Sequence, residues 1–174
     1  MSKAPKYKAK PVYWNSKFQS VMHEVDVEIC RHEEKLKLPD YIWRFDSQHE
    51  FKVYLQLKRM YGVDRVERQV SIRIIPKCNC YPRGKHWKVD FAITKSALDR
   101  DITHLVEAKG AFLPKFASVL VNLEREEVKK FEKTIIVFSN KIPSKNLVVK
   151  ALLKSFYSKN LITLSTLKKL DRLP

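Results

Sequence analysis

The stretch WKVDFAITKSALDRDITHLVEAKG, Trp87 to Gly110, holds two apolar runs joined by a polar segment, and its reading decides the fold. WKVDFAI (87–93) and HLVEAKG (104–110) have the length and residue types of strands, and KSALDRD between them reads as a connection. Charge interrupts both runs: Asp90 sits between Val89 and Phe91, and Glu107 and Lys109 flank Ala108. Side chains on a strand repeat every two residues, so Glu107 and Lys109 share one face, with Val106 and Ala108 on the other. If the two strands are neighbours, Asp90 and Glu107 converge. A Glu-x-Lys spacing alone means little, because it also occurs at Glu33/Lys35, Glu50/Lys52 and Glu127/Lys129. Those three pairs fall on expected helices, where residues two apart point in different directions.

Outward from this stretch, VERQVSIRII (66–75) alternates polar and apolar residues as a half-buried strand does, until Pro76 stops it. TIIVFS (134–139) is a continuous apolar run suited to a buried central strand, and LITLS (161–165) supplies a last one. Helical spacing links Phe116, Val119, Leu120, Leu123 and Val128, and again Leu147, Val148, Ala151, Leu152 and Phe156 after a cap at Ser144. Upstream, FDSQHEFKVYLQLKRMYG (45–62) predicts a helix opened by Asp46 or Ser47 and closed by Gly62, offering Phe51, Tyr54, Leu55 and Leu57 to the core.

At the N-terminus, Ser16 is expected to cap a helix on which Phe18, Val21, Met22, Val25 and Ile29 form an apolar stripe, ending before Pro39. Trp14, Tyr41 and Trp43 flank it as packing residues, and Lys3, Lys6, Lys8 and Lys10 make the first ten residues a basic arm. The expected fold is α/β: a mixed β-sheet flanked by helices, an antiparallel meander followed by crossovers, and an N-terminal helical extension. Residues 1–44 form the arm and extension, and 45–174 form the core with its basic C-terminal helix and strand.

The chain has 174 residues with 35 Lys and Arg against 19 Asp and Glu, a formal net charge of +16. Such an excess on one domain predicts a polyanionic partner, nucleic acid first. No apolar run approaches the roughly 20 residues of a membrane-spanning helix, and the N-terminus lacks the apolar core of a secretory signal. Three cysteines, Cys30, Cys78 and Cys80, fit a reducing, cytoplasmic compartment better than a disulfide framework. Cys78, Cys80 and His86 are three of the four ligands a zinc site needs, and a solvated loop is the preferred reading of that segment.

Two converging carboxylates repel unless a basic group or a cation stands between them. Oxygen donors at a sheet edge suit hard Mg²⁺ or Mn²⁺, and Lys109 on the same face can orient or deprotonate a hydrolytic water. Asp99 and Asp101 in the connection are read as a polar hairpin tip, and His49 and His104 as ordinary packed or surface histidines.

The set FDSQHE, WKVDFAI and LVEAKG, from about Phe45 to Asn140, resembles the PD-(D/E)xK nuclease superfamily. Within it the chain is most similar to the junction-resolving phage endonuclease I family and related phage homing-type endonucleases. A similar F-x-S-x-x-E helix start precedes the strands there, and the run Val137, Phe138, Ser139, Asn140 follows them here. Val89 stands where that superfamily's name-giving proline would be.

The resemblance implies a restriction-endonuclease-like core and a phage- or bacterium-encoded, Mg²⁺-dependent DNA endonuclease. Asp90 and Glu107 would be metal ligands, joined by the Ala108 carbonyl and by Glu50 from the first helix; Lys109 would be the catalytic base or the group that orients the water, and Gln69 an assisting polar residue. Glu50 has a second reading, because Ser47-Gln-His-Glu50 is also a capping-box pattern. Duplex or branched DNA is the expected partner, and a homodimer the expected assembly. A sequence-specific homing-type activity, a four-way-junction resolvase and a non-catalytic basic DNA-binding protein are the three functions carried forward.

Overall fold

The computed structural model describes residues 10–33, 38–110, 130–139 and 161–173. Two compact units divide the chain, Met1–Phe51 and Lys52–Pro174.

The first unit contains strands β1 (Val12–Asn15), β2 (Ser20–Met22) and β3 (Ile42–Phe45) and helix α1 (Glu24–Glu33). Its antiparallel sheet has the order β2-β1-β3. The helix expected from Ser16 is therefore corrected: the chain first makes a β-hairpin, and the helix begins at Glu24. Local polar chemistry decides this. The Asn15 side chain accepts the N–H groups of Lys17 and Phe18, at 3.0 and 3.1 Å, folding the backbone into a turn. Gln19 completes the turn with φ at 53°. Ser16 does not cap a helix; its hydroxyl and N–H both donate to the Tyr41 carbonyl.

The apolar stripe of the expected helix is exposed at Phe18, Val21, Val25 and Ile29, while Val27, outside that stripe, packs with Tyr13 and Ile42. Trp14 is buried and lies 5.3 Å from Phe51, ring centre to ring centre. It is a packing residue, as its sequence context predicts.

Helix α2 (Gln48–Tyr61) opens in the first unit and continues into the second. It ends at Gly62, whose φ of 81° suits glycine and whose N–H closes on the Lys58 carbonyl. Val53, Tyr54 and Leu57 are its buried residues in the second unit, whereas Leu55, expected in the core, is exposed.

The second unit is built on a mixed five-stranded sheet flanked by helices. Its strands are β4 (Val66–Ile75), β5 (Lys85–Thr94), β6 (Ile102–Lys109), β7 (Lys133–Phe138) and β8 (Leu161–Thr163), in spatial order β4-β5-β6-β7-β8. The first three pair antiparallel, and β7 and β8 join parallel. Parallel neighbours require crossovers, so the expected meander followed by crossovers is the topology found. The crossover helices expected at 114–128 and 144–156 lie outside the described residues, as does the basic arm over residues 1–9. A short helix, α3 (Leu164–Leu167), follows β8 and is capped by the Thr163 side chain.

The central strands carry the core. Phe91, Ala92, Ile93, Leu105, Val106 and Ile135 to Phe138 are fully buried, and Tyr54 stacks on Phe91 at 6.2 Å. This is why TIIVFS reads as continuously apolar: β7 lies between two neighbours and shows almost nothing to water. Among the described residues, no helix is long and apolar enough to cross a membrane.

Candidate active site

The site is a fork in the sheet. Strands β5 and β6 pair from Thr94 and Ile102 to Phe91 and Val106, and the ladder stops there. Beyond it, side chains take over the backbone donors. The Asp90 N–H donates to Glu107 Oε2 at 3.2 Å, and the Ala108 N–H donates to Asp90 Oδ2 at 2.9 Å. Each carboxylate thus takes an amide of the opposite strand, and the two acids meet where the strands part. On its other side, β6 stays paired with β7 through Glu107, Ala108 and Lys109, so the fork has one firm wall.

Glu107 is 3 % exposed, and its other oxygen, Oε1, is in an ion pair with Lys109 Nζ. Burial, and secondarily the Asp90 charge, push the Glu107 carboxyl up from 4.5 to about 7, although Lys109 and the Asp90 amide act in the opposite direction. A carboxylate taken out of water ionises reluctantly, and a second acid beside it adds to the cost. Glu107 therefore lies between its two protonation states near neutral pH, with the Asp90 charge raising its pKa and Lys109 lowering it. A cation bound beside the two carboxylates would favour the ionised form of Glu107.

Gln69 approaches from β4. It lies between Arg68 and Val70, whose partners are Phe91 and Val89, and so stands opposite Asp90. Its Nε2 is 3.5 Å from Asp90 Oδ1. The backbone there is left-handed, with φ at 54°, a conformation that costs a non-glycine residue about 1–2 kcal/mol. The structure therefore brings Asp90, Glu107, Ala108, Lys109 and Gln69 together, as the sequence suggests. The backbone amides of Asp90 and Ala108 are the members that side-chain spacing does not reveal.

Glu50 belongs to the first unit, at the start of α2. Its N–H donates to Ser47 Oγ at 3.1 Å, and its carboxylate accepts the Asp46 N–H at 2.8 Å. Ser47 is thus the cap, and the buried glutamate folds back one residue further than in the usual capping box. Of its two sequence readings, the capping one has these bonds behind it.

The remaining candidates have structural roles. Asp99 orders the β5–β6 turn by accepting the Asp101 N–H and pairing with Lys95, and both contacts hold its carboxyl below the usual range. His104 lies at the other end of β6, hydrogen-bonded to Thr103 Oγ1, and burial lowers its pKa. Cys78 and Cys80 are exposed thiols, and Trp87 is buried in the core. Among the described residues, no group of three or more His, Cys, Asp and Glu side chains converges as a metal site. The Asp90–Glu107 pair would need backbone oxygen, water or substrate oxygen to complete a coordination shell, as Mg²⁺ sites commonly do.

No family model, no curated protein and no solved structure matches the chain.

Proposed function

We propose that the chain is a metal-dependent DNA endonuclease of the PD-(D/E)xK type, with a restriction-endonuclease-like core in its second unit. The observation that carries this reading is the meeting of Asp90 and Glu107 at the β5–β6 fork with Lys109 paired to Glu107. The donor set fits a hard divalent ion: two carboxylates that meet across the fork where the β-ladder ends. The net charge of +16 supplies the attraction to a phosphate backbone.

When bound, Mg²⁺ or Mn²⁺ would neutralise charge on the scissile phosphate and acidify a hydrolytic water. Asp90 and Glu107 would hold the ion, with the Ala108 carbonyl as the adjacent backbone donor. Lys109, an ammonium in its ion pair with Glu107, would orient the hydrolytic water at Nζ, and would serve as its base only after first giving up its own proton to solvent. Gln69 positions Asp90 through its side-chain amide. Glu50 is left at its helix start and takes no step in this scheme.

The test is cleavage of supercoiled plasmid, a random-site duplex library and a four-way junction, side by side, with Mg²⁺ and with EDTA. Expected is Mg²⁺-dependent cleavage that Asp90→Ala removes while DNA binding and melting temperature stay near those of the parent. Selective cutting of the junction would make the chain a resolvase, and discrete sites in the library would make it homing-type. No metal-stimulated cleavage of any substrate would leave a basic DNA-binding protein.

A further inference from the structure

The β4–β5 ribbon continues past Gln69 and Asp90, and its composition is lopsided. From Val70 to Val89 it carries five Lys and Arg, with His86, and no Asp or Glu. The ladder register sorts these residues. Val70 pairs with Val89 and Ile72 with Trp87, and Ile72, Trp87 and Val89 are buried in the core cluster. Ser71 pairs with Lys88 and Arg73 with His86, and these four are exposed. One face of the ribbon is thus anchored, and the other is a cationic strip that starts two residues from Asp90.

The tip is built to hold its shape. Cys78 and Tyr81 exchange backbone hydrogen bonds of 3.1 and 2.9 Å around a two-residue turn, and the Gly84 N–H closes a second turn on the Tyr81 carbonyl. Gly84 has φ at 70°, and a Cβ there would lie 2.8 Å from the Ile75 carbonyl oxygen. Exposed Lys77 and Arg83 are carried on this rigid tip.

We infer that the outer face of this ribbon is a binding track for the phosphate backbone of duplex DNA, using Arg73, Lys77, Arg83, His86 and Lys88. The inference rests on the proposed function for the identity of its partner. Charge complementarity selects a polyanion, and continuity with Asp90 selects the DNA flanking the scissile phosphate. Asp90 to Lys85 is five residues, about 17 Å of strand, which spans about 5 base pairs at about 3.4 Å per pair. Because β4 is an edge strand, its charges also serve to deter edge-to-edge pairing, and that role alone predicts no effect on DNA binding.

The experiment measures affinity for a labelled 30-base-pair duplex against salt in EDTA, so that binding is read without cleavage. One variant carries Arg73→Gln, Lys77→Gln, Arg83→Gln and Lys88→Gln. A control removes equal charge from exposed sites elsewhere in the same unit, by Lys52→Gln, Lys168→Gln, Lys169→Gln and Arg172→Gln. Each phosphate neutralised contributes about 0.9 to the slope of log K against log salt, so the ribbon variant should lose about 3 to 4. Its affinity at 0.1 M salt should fall on the order of 10³-fold, while the control changes its slope by less than about 1.

The unmutated protein supplies a second reading that does not depend on a variant folding. DNA should slow alkylation of the tip thiols Cys78 and Cys80 at least about tenfold and leave half-buried Cys30 unaffected. Equal slopes in the two variants, unprotected tip thiols, or no duplex binding by the parent would each overturn the track. Failure of the nuclease reading looks different: the parent would cut nothing in Mg²⁺ while the ribbon variant still lost its slope.

Discussion

Replacing Glu107 by Gln should stabilise the metal-free protein at pH 8, although it removes one partner of an ion pair. Glu107 holds its proton up to about pH 7 when folded, against an ordinary value of 4.5. Between these values the folded chain binds more protons than the unfolded one, so stability is full below pH 4.5 and is lost as pH rises through 7. At about 1.4 kcal/mol per pH unit, that interval is worth about 3 kcal/mol. Gln resembles the protonated acid and does not titrate, so Glu107→Gln should leave the melting temperature nearly unchanged at pH 4.5. At pH 8 it should raise it by about 6–12 °C, given about 2–4 °C per kcal/mol for a chain of this length. The assay is thermal melting in EDTA across pH 4.5 to 8, followed by tryptophan fluorescence in a Trp14→Phe, Trp43→Phe background, so that Trp87, buried in the same unit, is the reporter. Mg²⁺ should then raise the melting temperature of the parent at pH 8 and have little effect on the variant. A variant that melts at or below the parent at pH 8, with an unchanged pH slope, would refute the claim that burial penalises this carboxylate.

Lys109→Met should reduce Mg²⁺-dependent cleavage by about 10²- to 10⁴-fold at saturating DNA, read as single-turnover rates, and should steepen the loss of stability at high pH because Glu107 loses its partner. Gln69→Gly should raise stability by about 1 kcal/mol in urea titration, by relieving a φ of 54°, while slowing cleavage; a destabilised variant would show that the left-handed residue is not strained. Glu50→Gln keeps an oxygen to accept the Asp46 N–H, so melting temperature and cleavage should both stay close to those of the parent. If its cleavage rate collapses at unchanged melting temperature, Glu50 acts at the metal and the scheme must include it.

Much of the second unit is legible in its sequence because pattern and environment agree there. Val66 to Ile75 alternates as a strand at the edge of the sheet, Lys133 to Phe138 is apolar throughout as a strand inside it, and Gly62 ends α2 where a positive φ is needed. Asp90 and Glu107 are legible for the opposite reason, as charges in runs that otherwise belong to the core. The N-terminal unit is misread because Phe18, Val21, Val25 and Ile29 mimic a helical stripe although exposed. Asn15, whose side chain accepts two backbone N–H groups of the β1–β2 turn, carries the stronger signal. The fork between β5 and β6 has no sequence signature, since a missing ladder bond depends on which donors the carboxylates capture.

The fork also bears on whether the acids are catalytic or a structural leftover. Were their task only to hold two amides, at Asp90 and Ala108, neutral Asn and Gln would accept the same hydrogen bonds and avoid the ionisation cost at Glu107. Lys109 lowers that cost without removing it, because Asp90 stands against Glu107 from the other side. Under the proposed function the cost has a purpose: a divalent ion bound by Asp90 and Glu107 would favour the ionised form of Glu107 that burial penalises. The expected stabilisation by Glu107→Gln and the expected loss of cleavage in the same variant are therefore one argument. A variant that gained stability and kept full activity would break it.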